Sequence, residues 1–279
     1  MMQIGARTIA LNELDSIRRD HDISSVARTV SLAFSPDPLI RWLRPNALPW
    51  SQLDGASWKW QYRRVQRVML EGQVLRSAGA LQMARMFPHK IQNAPVPAAD
   101  GASTTTPEKV AQVSASEEPD PSLSDADAGA VVFFFPPKDR MSWSLSRLLL
   151  SCKLWLLDML NPARDSGAND KRLAKLLGAH EASLLSLQTK YPRRRLWYLE
   201  VVAVHPALQS RGLGGGVMKW ILEHVEHDPV YLECTRQENI KFYEGFGFRV
   251  AEEVELTDDE AKLKYWVMIR SDDDSEEAS

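Results

Sequence analysis

Apolar positions along the chain alternate between helical and strand spacing. Ile23, Val26, Ala27, Val30 and Phe34 fall on one side of a helix, with Asp22 placed as its N-cap. Ser35-Pro36-Asp37-Pro38 stops that helix. Trp58, Tyr62, Val65, Val68 and Met69 repeat at the same period and predict a second helix, which Gly72 ends. Residues 73–78 then read as a strand. The run Gly129-Ala130-Val131-Val132-Phe133-Phe134-Phe135 predicts a buried strand, closed by Pro136-Pro137.

Two more helices follow, together spanning about residues 141–190. One stripe is Leu145, Leu148, Leu149, Cys152, Trp155, Leu156 and Met159; the other is Leu173, Leu176, Leu177, His180, Leu184 and Leu187. Both stripes read first as core, with a lid over an acceptor cleft as the alternative. Trp197 to Val204 is a strong strand ended by His205-Pro206, and a glycine-rich turn leads into a stripe of Val217, Met218, Ile221, Leu222 and Val225. Strands over 230–234, 248–256 and 265–270, with a short helix over 239–244, complete the pattern.

Composition changes the picture at two places. Residues 92–128 are rich in Ala, Pro, Ser, Thr and Asp and contain no aromatic side chain, so they bury too little apolar surface to offset their ordering entropy. They read as a mobile insertion within one domain that spans 1–270. Residues 271–279 read as an acidic, disordered tail. Over the whole chain of 279 residues, 44% hydrophobic and 25% charged residues describe an ordinary globular protein.

The formal net charge of −3 gives no general pull toward nucleic acid. Cys152 and Cys234 stand far apart with no Cys/His cluster near them, which argues against a disulfide framework or a zinc site. No signal peptide is visible, since acidic Glu13 and Asp15 come early and no basic start leads into an apolar run. Arg147, Lys153 and Asp158 interrupt the most apolar stretch, which is too short and too charged to span a bilayer. A cytoplasmic or nuclear location is the expectation by elimination.

A strand, a turn with closely spaced glycines and a helix start together suit an anionic phosphate. Glycines let the backbone approach the ligand, and the helix start offers unpaired N–H groups at a positive dipole end. A Walker-type loop needs Gly-Lys-Ser/Thr, but Gly216 is followed by Val217-Met218. A dinucleotide fingerprint begun at Gly212 fails at its third glycine, which is Val217. The pattern that matches is Gln/Arg-x-x-Gly-x-Gly/Ala, satisfied by Gln209, Gly212 and Gly214. Downstream come Leu232-Glu233-Cys234-Thr235, then Asn239, Tyr243 and Gly245-Phe246-Gly247-Phe248.

Through these two motifs, in this order, the chain resembles the GNAT superfamily over roughly residues 196–250, and more loosely at Ala33-Phe34 and Asp37-Pro38. The resemblance implies an α/β fold: a mixed, twisted central sheet with a splayed strand pair, flanked by helices. It implies acetyl-CoA as acetyl donor, a primary amine acceptor, direct transfer in a ternary complex, and no metal. Val202, Ala203 and Val204 would line the pantetheine arm. Gln209, Ser210, Arg211, Gly212, Leu213, Gly214 and Gly215 would hold the pyrophosphate, with Arg211 adding charge. Asn239 would contact the cofactor near its thioester, and Tyr243 would act as general acid toward the departing thiolate.

The general base is assigned to Glu200, since strand alternation puts Glu200, Val202 and Val204 on one face. Duller readings stand beside these: glycines that merely build a tight turn, Tyr243 as a core aromatic, and Glu200 as a structural carboxylate. Cys234 reads as a small buried thiol and not a nucleophile. His205 reads as a loop residue, and Arg193-Arg194-Arg195 as a solvated cluster preceding a strand. A CoA-binding sensor without activity, or an interaction module on the same scaffold, are the alternative functions.

Overall fold

The structure, a computed structural model, describes residues 9–14, 20–46, 55–88, 123–137, 140, 144–163, 165, 167–192, 195–258 and 261–271. The expected insertion falls largely outside them, as do the expected tail beyond Ser271 and the pair Arg193-Arg194. The segment 123–128, expected to belong to the insertion, is built into the core. Leu123, Asp127 and Ala128 are buried, Arg28 Nε meets Asp127 Oδ1 at 2.6 Å, and Thr29 Oγ1 donates to Ala128 O at 2.8 Å.

In chain order the elements are β1 (Asn12–Glu13), α1 (Asp20–Phe34), α2 (Pro38–Leu43), α3 (Gly55–Glu71), β2 (Gln73–Arg76), α4 (Ala80–Met86) and β3 (Ala130–Phe135). Then come α5 (Leu145–Leu160), α6 (Asp170–Lys190), β4 (Trp197–Val204), α7 (Leu213–Val225), β5 (Val230–Cys234), α8 (Ile240–Glu244), β6 (Arg249–Thr257) and β7 (Lys262–Arg270). The strands form one sheet in the order β1-β2-β3-β4-β5-β7-β6. Its pairs are antiparallel except β4 with β5, which run parallel.

Two features were expected otherwise. The short helix α2 starts directly at Pro38, because Asp37 caps it by accepting from Leu39 N at 2.9 Å; proline suits a first turn, where its missing N–H costs nothing. The stripe chosen on α5 is not core. Leu145, Leu148, Leu149, Trp155, Leu156 and Met159 are all exposed, and Leu150 and Leu154 are the residues that α5 buries against α3. On α6 the stripe is only partly core: Leu187 is buried and Leu176 and Leu184 pack beside it, but Leu177 is exposed.

The sheet's two faces are covered differently, and this positions the site. On one face a continuous cluster runs from Leu75 and Phe134 through Leu199 and Leu232 to Met268, under α7. On the other face the apolar core is in two parts. One joins α1, α3 and α5 to Val131, Phe133, Val201 and Ala203; the other joins Trp42 of α2 and Leu187 of α6 to Tyr231, Tyr265 and Val267.

Candidate active site

The parallel pairing of β4 and β5 is short. It runs through Trp197↔Val230, Tyr198↔Tyr231 and Leu199↔Leu232 and then stops. Beyond Leu199, β4 continues to Val204 paired only with β3, while Glu233 and Cys234 of β5 pair only with β7. The two central strands are therefore splayed, and backbone edges open between them.

A bulge in β4 lies at the start of the splay. Phe133 pairs with Val201 and Phe134 with Leu199, so Glu200 has no partner across the ladder. An extra residue shifts the alternation by one. The expected common face for Glu200, Val202 and Val204 is thereby corrected. Val202 and Val204 pack on the α7 side, whereas Glu200 Oε1 accepts from Arg64 Nη2 of α3 at 2.7 Å on the opposite side. The second oxygen of Glu200, Oε2, is buried without a hydrogen-bond partner among the described residues.

On the α7 side, the strand ends at His205-Pro206 and the chain turns through Ser210 and Gly212, both at positive φ (62° and 86°). Glycine takes that conformation without strain, and an added Cβ at Gly212 would meet nothing within 4 Å. Gly212 is the N-cap of α7, and no side chain caps the helix. The first intrahelical bond is Gly216 N to Gly212 O at 3.2 Å, so the amides of Leu213, Gly214 and Gly215 have no carbonyl one turn earlier. This helix start adjoins open space, a cradle suited to a phosphate. The glycines differ in what they meet. A Cβ on Gly214 or Gly215 would meet the rings of Phe242 or Phe246 at ordinary contact distance, whereas one on Gly216 would lie 2.5 Å from Ile9.

Two expected phosphate ligands turn back into the protein. Gln209 Nε2 donates to Val204 O at 3.3 Å, and Arg211 Nη1 donates to Phe87 O at the end of α4 at 3.2 Å. Both fasten the turn.

Asn239 is exposed, one position before α8, on the segment that follows β5. Tyr243 packs against the α7-side cluster, and its phenol is pushed well above the ordinary range by burial, with Cys234 and Asp37 adding to the effect. It is therefore protonated and able to donate. Burial likewise raises the Cys234 thiol, whose Sγ lies 3.1 Å from Arg236 O, so it offers no thiolate. Asp37 closes this end: its Oδ2 accepts from Thr235 Oγ1 at 2.7 Å, and burial raises its carboxyl.

Across the sheet, between the two apolar parts of the other face, lies a polar cluster that the sequence reading did not assemble. Glu233 Oε1 lies 2.9 Å from His180 Nδ1, and Glu233 Oε2 accepts from the Tyr198 hydroxyl at 3.0 Å. The Glu233 contact raises the His180 imidazolium above its usual pKa, outweighing the opposing effect of burial. Tyr198 stacks on Tyr231 with ring centroids 4.7 Å apart, and the buried Tyr265 hydroxyl has no partner among the described residues. Alternation along β5 was the available signal, since it sends Glu233 to the face opposite Cys234. Among the described residues, no group of three or more His, Cys, Asp and Glu side chains is placed to hold a metal ion.

Residues 175–250 match the family model described as an acetyltransferase (GNAT) domain. Among solved structures, arylalkylamine N-acetyltransferase 2 from Aedes aegypti has a TM-score of 0.50 and 10% identity, covering 95% of this chain and 99% of that one. At that identity the likeness concerns the fold, and it agrees with the mixed, open sheet and its flanking helices. The histone acetyltransferase HPA2 and related acetyltransferase from Corynebacterium glutamicum has a TM-score of 0.47 and 13% identity, covering 95% of this chain and 97% of that one. The Drosophila melanogaster polyamine N acetyltransferase has a TM-score of 0.47 and 10% identity, covering 94% and 99%.

Proposed function

We propose, from the match of residues 175–250 to the GNAT acetyltransferase domain, that the chain transfers an acetyl group from acetyl-CoA to a primary amine by direct attack within a ternary complex. The observation that carries this reading is the splay of β4 and β5. It has an uncapped helix start and a protonated phenol on one face, and carboxylates on the other.

When bound, acetyl-CoA supplies an acetyl group already activated as a thioester. The amides of Leu213, Gly214 and Gly215 would bind its pyrophosphate, with Ser210 and Gly212 shaping the turn. Backbone edges of Val202, Ala203 and Val204 would hold the pantetheine arm, and Asn239 would flank the thioester end. Gln209 and Arg211 would act indirectly, by fastening the turn to Val204 and Phe87.

The amine must lose a proton to become a nucleophile, at a cost of about 4–5 kcal/mol at neutral pH for an ordinary ammonium. Glu200 Oε2 is the acceptor we assign, reached through water, while Arg64 holds the other oxygen. Tyr243 would donate its phenolic proton to the departing thiolate.

Thermal unfolding with and without acetyl-CoA, followed by free-thiol release with a panel of amines, tests this. Ligand at a hundred times its dissociation constant adds about 2.7 kcal/mol to native stability. A shift that Gly212→Asp abolishes, with thiol released in the presence of an amine, is the expected result. A shift without release from any amine would make the chain a CoA-binding sensor, and no shift at all would overturn the cofactor site.

A further inference from the structure

Helix α5 is apolar on two sides. One side, Leu150 and Leu154, is buried against α3. On the other, exposed residues follow i, i+3, i+4, i+7 spacing: Leu148, Leu149, Trp155, Leu156 and Met159 are 50–65% exposed, bracketed by Leu145 at 73% and Leu160 at 75%. A helix with a second apolar side has more to bury than one core covers, and this seam is the spacing at which helix packs on helix. These side chains expose on the order of 800 Å², more than the usual largest apolar patch of a monomer and about what each partner contributes to a standard interface.

We propose that α5 is the contact of a two-fold homodimer in which the helix of a second copy crosses it antiparallel. The helix runs from 145 to 160, so Cys152 lies at its midpoint and on the exposed side. A two-fold axis there brings Leu149 against Leu156 of the second copy, and Leu145 against its Leu160. Such an isologous contact needs a surface that is self-complementary, and a symmetric apolar seam with a small central side chain supplies it. The charges beside the seam favour this occupant over a lipid surface. Interfacial helices carry Lys and Arg on their polar side. Here Arg147 donates to Gly72 O, Asp158 engages Arg63 and Arg67, Lys153 is the remaining cation on the helix, and the whole chain is net −3.

Sedimentation equilibrium of the full chain over a range of concentrations tests the proposal, with a mass of twice 31.5 kDa expected. The double substitution Leu149→Glu, Leu156→Glu should give a monomer that still unfolds cooperatively, at a midpoint that no longer rises with protein concentration, since both side chains are at least half exposed. A short bis-maleimide should cross-link wild-type subunits, and Cys152→Ser should abolish this because Cys234 is buried. A monomer at every concentration would overturn the proposal. So would a dimer that survives the double substitution and does not cross-link, or a monomer that sediments with phosphatidylserine vesicles.

Discussion

His180 Nδ1 lies 2.9 Å from Glu233 Oε1, tying the middle of α6 to the carboxylate of β5 across 53 positions of sequence. Because Glu233 also accepts from Tyr198, one carboxylate joins a helix and both splayed strands. The pair fills the interval between the two apolar parts of that face.

The pair makes stability depend on pH. Glu233 raises the His180 pKa in the folded state, so the protonated imidazole contributes fully below its ordinary value of about 6.5. That contribution is lost as pH rises through the raised value. The stability difference between wild type and His180→Gln should shrink by up to about 1 kcal/mol between slightly acidic and alkaline buffer. Urea midpoints at both conditions measure it, and a difference that does not change with pH would mean His180 is not protonated there.

Tyr243→Phe should lower turnover by about 10²–10⁴-fold, the usual worth of a positioned proton donor. The acetyl-CoA-induced thermal shift should remain, since the ring still packs against the α7-side cluster. Wild-type turnover in this variant would leave Tyr243 a core aromatic.

Glu200→Gln should lower kcat/KM by about 10²-fold or more near neutral pH, if this carboxylate takes the proton of the amine. The deficit should narrow as pH rises toward the amine pKa, because free amine then needs no base. A deficit that stays constant with pH would assign Glu200 to holding Arg64, not to proton transfer.

Asp258→Ala tests the packing between the β6–β7 hairpin and α6. The Arg172 side chain, 2% exposed, pairs with Asp258 and donates to Trp42 O at 2.7 Å. Removing the carboxylate leaves a buried guanidinium undercompensated and should cost about 3 kcal/mol. Adding Arg172→Met should recover part of the loss, measurable as a partial return of the urea midpoint. A double variant less stable than Asp258→Ala would show that the Trp42 contacts of Arg172 outweigh the pair.

Local pattern alone determined a large part of this protein. The period of apolar residues located α1, α3, α5, α6 and α7 and the strands β3, β4, β5 and β7, because burial of one helical stripe or one strand face is written in adjacent residues. The turn from Gln209 to Gly214 and the Asn239/Tyr243 pair were legible as motifs, since conformation at Gly212 is a local property. The two-residue β1 and the seven-residue α4 carry too few periods to stand out.

Only the tertiary structure decided which way several of these residues face. Periodicity marked the α5 stripe as apolar but could not say that the chain leaves it uncovered. Glu200 changed sides because a bulge is a relation between β4 and β3, not a property of either strand. Thr235 meets Asp37 across 198 positions and Arg64 meets Glu200 across 136, contacts that no window along the chain contains. A residue's secondary structure follows largely from its neighbours in sequence, but its partner follows from the register and packing of segments that meet only in the folded chain.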